Sequence, residues 1–296
     1  MSTTRTGADR PAAASAVFPL GGDLPVHQLG FGAMRVVGPG VWGPPADRDN
    51  SIRVLRRAVE LGVDLIDTAE VYGPHVSEEL IREALHPYPD ELVLATKGGI
   101  HRPSSQQLTP NGTPEFLRSG VEGSLSRLGT DVIDLYQLHR IDPRVPVEES
   151  VGALAELRDE GKIRHLGLSE VSVAELERAR AVTPIASVQN RYNVADREHE
   201  DVLEHCEREG IAFLPWFPLD TGKLAAADGV LRRLAAETAA TPAQLALAWL
   251  LHRSPVVLAI PGTGSLAHLE ENCAAATVEL GDDVFAELSA LTPARA

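Results

Sequence analysis

The chain has 296 residues and a net charge of −15, with 44% hydrophobic and 23% charged residues. This composition is that of an ordinary globular protein, and the acidic excess argues against nucleic acid or an anionic membrane surface as a partner. The two cysteines, Cys206 and Cys273, give no disulfide framework, and no apolar run reaches membrane-spanning length, so we expect a cytoplasmic protein.

Two segments precede the regular part of the sequence. Residues 1–16, MSTTRTGADRPAAASA, lack the apolar core that a signal peptide needs, and we expect a flexible tail there. The next segment, VFPLGGDLPVHQLG, predicts two short strands that form a hairpin around Gly21-Gly22-Asp23.

From there an alternation of strands and helices runs to the end. In SIRVLRRAVEL, Ile52, Leu55 and Val59 lie on one helix face; Gly62 ends this helix and the strand VDLID follows. Candidate strands recur near residues 30–34, 63–67, 92–96, 132–138, 164–168, 186–190, 211–216 and 256–260. Because no linker interrupts them, they predict a single (β/α)₈ TIM barrel over residues 17–296, with the hairpin across its bottom.

A doubly wound dinucleotide-binding domain uses the same alternation. Its phosphate-binding turn reads G-x-G-x-x-G after the first strand. Here the first strand leads into GFGAMR, where Arg35 stands in the place of the third glycine, and GTG at 262–264 does not complete the motif either. The sequence therefore favours the barrel.

Reactive side chains follow several of the predicted strands, at the rim where barrel active sites lie. Lys97 is costly to bury without a counter-charge, and Asp67, one strand away, can supply it. The Lys97 ammonium should stabilise the phenolate of Tyr72 and make it a better acid, able to protonate a carbonyl oxygen as hydride reaches the carbon. Each residue alone fits a structural role, but their convergence predicts one catalytic set: Asp67, Tyr72, Lys97 and His139.

These residues lie in segments that resemble the aldo-keto reductases. The matching segments have the family's order and spacing and cover nearly the whole chain: GFGAMR, GVDLIDTAEVYG, LVLATKGG, DVIDLYQLHR, IRHLGLS, VQNRYN, WFPL and IPGTGSLAHLEEN. The resemblance implies Tyr72 as the general acid, His139 as the residue that orients the substrate carbonyl, and NADPH as the cofactor.

The resemblance also implies where the cofactor lies. Ser169 and Gln189 would hold the nicotinamide carboxamide, and Trp216 would stack beneath the nicotinamide ring. The other implied cofactor residues lie in the first loop, after Trp216 and in the last loop: Gly32, Ala33, Met34, Phe217, Pro218, Leu219, Ile260, Gly262, Thr263, Gly264, His268, Glu271 and Asn272.

Four positions, in three segments, depart from the family's common pattern. Glu170 stands where many members have the asparagine that follows the carboxamide-binding serine, and Trp216 stands where tyrosine is common. Gly262 and His268 replace two cations that hold the 2′-phosphate of NADPH, which weakens the argument for NADPH over NADH. Amides at the helix start after Gly264 can bind phosphate without a lysine, so NADPH is expected and NADH is left open.

The loops carry the information about the substrate. The first loop, VVGPGVWGPPADRD, holds Trp42, which either stacks on an aromatic or sugar substrate or anchors the loop on the barrel. The short C-terminal segment FAELSALTPARA suggests an open pocket. Together with VYGPH, PWFPL and LALAWLLHRSP, the loops most resemble the bacterial pyridoxal reductases (pyridoxine 4-dehydrogenases), which implies pyridoxal among the candidate carbonyl substrates. For substrate binding we therefore name Trp42, Tyr72 and His139.

Other functions have less support. A metal-dependent barrel hydrolase needs several clustered His and carboxylate ligands. The residues that follow the predicted strands do not include such a cluster, so no metal is expected. A cofactor-binding regulatory module with little turnover stays open as an alternative, as do other carbonyl substrates such as sugars or secondary-metabolite intermediates. The expected partner is a small carbonyl compound, and a monomer is the default assembly.

Overall fold

The computed structural model of the protein describes residues 9–220 and 229–291. Its strands are β1 (Val17–Leu20), β2 (Leu24–His27), β3 (Phe31–Gly32), β4 (Leu65–Asp67), β5 (Val93–Gly98), β6 (Ile100–Ser104), β7 (Gln107–Pro110), β8 (Ile133–Leu138), β9 (Ile163–Ser169), β10 (Ser187–Gln189) and β11 (Ala212–Phe213). Its α-helices are α1 (Arg48–Glu60), α2 (Val76–Leu85), α3 (Pro114–Leu128), α4 (Val147–Asp159), α5 (Val173–Arg180), α6 (Glu200–Glu209), α7 (Val230–Thr238), α8 (Pro242–Arg253), α9 (Leu266–Ala274) and α10 (Asp282–Ser289).

A curved parallel sheet forms the centre of the fold and confirms the predicted barrel. Seven strands pair in the order β11-β10-β9-β8-β5-β4-β3, and every pair is parallel. The carboxyl ends of the strands therefore meet at one rim, as the sequence predicted.

The segment predicted as an eighth strand, residues 256–260, closes the barrel without forming a regular strand. It makes isolated parallel bridges on both sides, between Phe213 and Val257 and between Leu29 and Ala259. The Leu258 amide donates to the Phe213 carbonyl at 2.9 Å, and the Ala259 amide donates to the Gln28 carbonyl at 2.7 Å. We call the pairing of residues 28–30 with residues 257–259 the seam. Few backbone hydrogen bonds close the barrel there.

The hairpin of β1 and β2 lies at the amino ends of the barrel strands, where the sequence predicted it. Asp23 in its turn accepts hydrogen bonds from Arg164 at 2.9 Å and from His165 at 2.6 Å, both at the start of β9. Gly21 has a positive φ of 63°, and a Cβ there would lie 2.2 Å from the His165 ring. Only glycine fits this turn, because a side chain would collide with that ring.

The prediction of a flexible tail over residues 1–16 is wrong for residues 9–16. Pro11–Ala14 form a short 3₁₀ helix, and Ala12 is fully buried. The amide of Ala12 donates to the Leu61 carbonyl at 3.0 Å, which ties this segment to the end of α1. The run PAAAS has no large apolar side chain to indicate packing, and its place depends on a backbone contact with residues far along the chain. Residues 1–8 lie outside the described ranges.

Helix α1 shows how local sequence sets the repeating unit. Asp47 caps its start by accepting from the Asn50 amide at 2.8 Å, and its predicted apolar face is buried through Ile52 and Leu55. The helix ends before Gly62, whose φ of 96° turns the chain back toward β4.

The hairpin formed by β6 and β7, which rises from the rim after β5, was not predicted from the sequence. Its segment, HRPSSQQLTP, is polar and contains proline, so it lacks the apolar alternation that predicts strands. Arg102 in β6 holds it down by donating to the carbonyls of Val41 at 2.6 Å and Val71 at 2.9 Å. The hairpin therefore belongs to the wall of the rim.

Within residues 9–220 and 229–291, none of the helices has the length and apolar character that crossing a membrane requires.

Gln28 should be the side chain on which closure of the seam depends most. It is buried, and its Nε2 donates to the carbonyls of Pro255 at 3.0 Å and Val257 at 3.1 Å. We expect Gln28→Ala to lower the free energy of unfolding by about 2–3 kcal/mol, because the buried Val257 carbonyl loses its donor. Urea unfolding would measure this, with the exposed Gln107→Ala as the matched control. Equal effects of the two substitutions would refute this role for Gln28.

Candidate active site

A cavity of about 820 Å³ opens at the carboxyl ends of the strands. Three of the four predicted catalytic residues, Asp67, Tyr72 and His139, line it, and Lys97 lies buried behind them. Nearly all predicted cofactor residues line the same cavity: Gly32, Met34, Ser169, Gln189, Trp216, Phe217, Pro218, Leu219, Ile260, Gly262, Thr263, Gly264, His268, Glu271 and Asn272. Ala33 does not line it, because it is fully buried.

A buried ion pair joins the ends of β4 and β5. The Lys97 ammonium lies 2.6 Å from Oδ2 of Asp67 and donates to the Thr68 carbonyl at 2.8 Å. The other oxygen of Asp67 accepts from Gln137 at 3.0 Å and from Gln189 at 2.9 Å. A charge is costly to bury unless it is paired and hydrogen-bonded, and here both oxygens of the carboxylate are satisfied.

The ammonium also lies under the Tyr72 ring, 5.3 Å from its centroid. Burial raises the pKa of the Tyr72 phenol above its ordinary value, and the Lys97 ammonium opposes this rise. The predicted effect of Lys97 on the pKa of Tyr72 is present, but desolvation is the larger effect, so the net shift of the pKa is upward. Tyr72 is therefore a protonated phenol at neutral pH, with a cation placed to stabilise its conjugate base.

The His139 ring lies edge-on to Tyr72, with 6.1 Å between the ring centroids. Burial, together with the nearby Lys97 and Arg140 cations, lowers the pKa of His139 well below its usual value. Its Nδ1 is buried and has no hydrogen-bond partner among the described residues. A neutral imidazole of this kind can donate or accept a hydrogen bond but brings no charge to the cavity.

At the far end of the cavity two loops touch through glycines, which let their backbones come close together. A Cβ on Gly32 would lie 2.7 Å from the Ile260 carbonyl oxygen, and a Cβ on Gly262 would lie 2.4 Å from the Gly32 carbonyl oxygen. Beyond them, Ser265 caps α9 by accepting from the His268 amide at 3.4 Å, and His268 lines the cavity at this helix start. Amides at a helix start suit phosphate, and with the Trp216 ring at the other end these residues fit a nicotinamide dinucleotide.

Two arginines that were not among the predicted site residues also line the cavity. Arg140, next to His139, donates to Ser169 Oγ at 3.1 Å and to the His139 carbonyl at 2.8 Å. Arg35 follows Met34, and its exposed side chain lines the cavity as well. Each arginine directly follows a predicted rim residue in the chain, and this adjacency was the available signal for both.

Trp42 is not brought to the cavity. Its indole packs against the Arg102 guanidinium, 5.2 Å from the guanidinium carbon, and its backbone pairs with Gly73. Its neighbours Gly40 and Val41 line the cavity instead. Of the two roles considered for Trp42, this geometry favours the anchor that holds the first loop against the Tyr72 loop.

A second buried acid lies behind the catalytic residues. Glu70, between Asp67 and Tyr72 in the chain, is 6% exposed, and its Oε1 accepts from the Gly99 amide at 3.3 Å. Burial, assisted by the nearby Glu78 carboxylate, raises the pKa of Glu70 to about 7. The carboxyl is thus partly protonated at neutral pH, which is unusual for a glutamate.

Among the described residues, no group of three or more His, Cys, Asp or Glu side chains is arranged to hold a metal ion.

Comparison with known proteins places these features in one family. The sequence profile described as "Aldo/keto reductase family" matches residues 28–293. Pyridoxine 4-dehydrogenase of Escherichia coli is 43% identical over 92% of this chain and 96% of its own length. An uncharacterized oxidoreductase of Schizosaccharomyces pombe is 49% identical over 90% of this chain and 87% of its own.

Among solved structures, an aldo/keto reductase from Klebsiella pneumoniae in complex with NADP and acetate is similar, with a TM-score of 0.80 and 29% identity. The match covers 95% of this chain and 97% of that one.

We expect Asp67→Asn to destabilise the protein by about 3–5 kcal/mol, because it leaves the Lys97 ammonium buried without its counter-charge. Denaturant unfolding would measure this. Glu122→Gln is the control, because it removes an exposed partner of Lys162 and should change stability little. A loss no larger than that of the control would mean that the buried pair is not desolvated.

Glu70 should make stability depend on pH. Its pKa is raised in the folded protein, so its stabilising contribution is complete at about pH 4 and is lost as the pH rises through about 7. Glu70→Gln keeps a neutral side chain at every pH and should be more stable than the natural protein by about 3 kcal/mol at pH 8. At acidic pH the two should be equal. Unfolding at both pH values would test this, with the exposed Glu279→Gln as a control that should show no such divergence.

Proposed function

The chain belongs to the aldo/keto reductase family and is an oxidoreductase, and on this premise we propose that it reduces an aldehyde or ketone to an alcohol with Tyr72 as the general acid. The single observation that carries this proposal is the buried Lys97–Asp67 pair beneath a protonated Tyr72 at the wall of the cavity. A protonated phenol can give its proton only if the phenolate left behind is stabilised, and the ammonium does this.

Each catalytic residue has one task in the proposed reaction. Tyr72 transfers the proton of its hydroxyl to the carbonyl oxygen, and Lys97 stabilises the resulting phenolate. Asp67 keeps the ammonium in place and charged. His139, held neutral by burial, donates a hydrogen bond to the carbonyl oxygen and orients it. When bound, the reduced nicotinamide supplies the hydride that reaches the carbonyl carbon.

NADPH is the cofactor we propose. The similar Klebsiella structure contains NADP, and Ser169 and Gln189 line the cavity beside Trp216, as a carboxamide site requires. Gly262 and His268 do not carry the permanent charge of the usual cations, but Arg35 lines the same cavity. Its guanidinium can supply a permanent positive charge for a phosphate group.

For the substrate we propose pyridoxal. The support is the E. coli pyridoxine 4-dehydrogenase, which matches 92% of this chain, loops included. The cavity wall combines apolar side chains, Val71 and Leu108, with the Arg140 guanidinium, which suits a flat aromatic aldehyde that carries polar substituents. Sugar aldehydes and other carbonyl compounds are the alternative substrates. Both cysteines are buried and free, which suits a cytoplasmic location.

The test is oxidation of NADPH and NADH with pyridoxal, xylose, methylglyoxal and 4-nitrobenzaldehyde. We expect turnover of pyridoxal with NADPH, and a loss of kcat on the order of 10²–10⁴ in Tyr72→Phe, because the general acid is missing. NADPH binding, followed by its fluorescence, should persist in this variant. Tyr88→Phe is the matched control, because the Tyr88 hydroxyl donates to the Leu128 carbonyl away from the cavity.

The outcomes separate the alternatives. Turnover of other carbonyls only, again lost in Tyr72→Phe, keeps the reductase and overturns pyridoxal. Full activity of Tyr72→Phe removes Tyr72 as the acid. Cofactor binding without turnover of any carbonyl favours the regulatory module instead.

A further inference from the structure

Glu170 holds an unusual backbone conformation next to the cavity. It follows Ser169 at the end of β9 and has a φ of 57°, in the left-handed region. Asparagine tolerates this region better than glutamate does, and asparagine is the residue common at this position in the family. Backbone strain of this kind clusters at ligand sites, where the surrounding contacts hold the residue in place.

The Glu170 carboxylate connects three consecutive strand ends. Its Oε1 accepts from the indole Nε1 of Trp216 and from the backbone amide of Arg191 at 2.9 Å. The Glu170 backbone amide donates to the Gln189 carbonyl at 3.0 Å. The carboxylate therefore fixes the indole relative to both β9 and β10.

Besides this hydrogen bond, the indole has ring contacts on its faces and edge. Phe217 lies edge-on to it, with 4.7 Å between ring centroids, and the guanidinium carbons of Arg140 and Arg191 each lie 6.0 Å from the ring. Such ring contacts tolerate rotation of the indole, whereas a hydrogen bond from its N–H to a carboxylate is directional. Arg191 forms its own ion pair with Asp196 at 2.8 Å, so the Glu170 oxygen is left to the indole and the Arg191 amide.

We propose that Glu170 is a positioning residue that fixes the Trp216 indole as the stacking platform for the nicotinamide ring. The departures at 170 and 216 are then one adaptation. The donor of a tryptophan, its indole N–H, lies at a different point on the ring system from the hydroxyl of a tyrosine, and in the half-buried Trp216 this N–H has the Glu170 carboxylate as its acceptor. Asparagine, one methylene shorter, does not reach that far, and glutamate does. The inference rests on the proposed function only in that a nicotinamide stacks on Trp216.

A double-mutant cycle on cofactor binding tests this coupling. Glu170→Asn in the natural background removes the acceptor while it relieves the backbone, so the NADPH dissociation constant should rise about tenfold without loss of thermal stability. In a Trp216→Phe background, which has no N–H, the same substitution should change it by less than about twofold. Glu170→Gln retains an acceptor oxygen and should recover most of the affinity.

A second measurement needs no cofactor. The chain has three tryptophans, so 5-fluorotryptophan labelling gives three ¹⁹F signals, and Trp216→Phe identifies the one from residue 216. We expect this signal to shift or broaden in Glu170→Asn and to stay sharp in Glu170→Gln, while the signals of Trp42 and Trp249 do not move. A destabilised fold would move all three.

The two proposals, the role of Glu170 and the reductase function, fail on different results. Equal losses of affinity in the natural and the Trp216→Phe backgrounds, or an unchanged ¹⁹F signal in Glu170→Asn, would overturn the role of Glu170. A natural protein that binds no nicotinamide overturns the proposed function instead. Binding with the expected coupling but no carbonyl turnover leaves the Glu170 inference standing and rejects the reductase.

Discussion

The buried ion pair between Lys97 and Asp67 is the constraint on which the rest of the site depends. A charged lysine inside a barrel is tolerated only because Asp67 lies 2.6 Å away and its second oxygen is held by Gln137 and Gln189. These four residues come from β4, β5, β8 and β10, so the polar network requires correct strand register. The position of Tyr72 above the ammonium follows from this network. Folding and proton transfer therefore both depend on the Lys97–Asp67 ion pair.

The loops around this network are joined to one another as well as to the barrel. Arg102 donates to carbonyls of the first loop and of the Tyr72 loop, and its guanidinium packs on Trp42. The residue pair Trp42 and Gly73 adds a backbone bridge between the same two loops. The wall on the substrate side is thus one connected unit made from three separate segments. On the cofactor side the glycines at 32 and 262 allow two other loops to touch.

Much of this architecture could be predicted because it follows from local patterns. Period-3.6 helices that end in glycine, as at Gly62, alternate with apolar strands, and parallel strands put their ends on one rim. That rule was enough to bring Asp67, Tyr72, Lys97 and His139 together.

Other features depend on contacts that no local pattern encodes. The direction of the Tyr72 pKa shift could not be predicted, because the balance between burial and a nearby cation depends on exposure that no sequence states. The place of the Trp42 indole was left open and the hairpin of β6 and β7 was missed for a related reason. Both are set by Arg102, through contacts between residues far apart in the chain.

The seam that closes the barrel has a consequence for how the protein responds to its ligand. The chain segments that meet there, residues 28–30 and 257–259, lead directly into Gly32 and Gly262, which line the cavity. A molecule bound in the cavity beside those glycines touches both segments of a join that has a single β-bridge, between Leu29 and Ala259. Binding of the ligand and pairing of these two segments then favour each other by mass action. The protease resistance and the amide-exchange protection of residues 28–30 and 257–259 should therefore increase as the cofactor saturates its site.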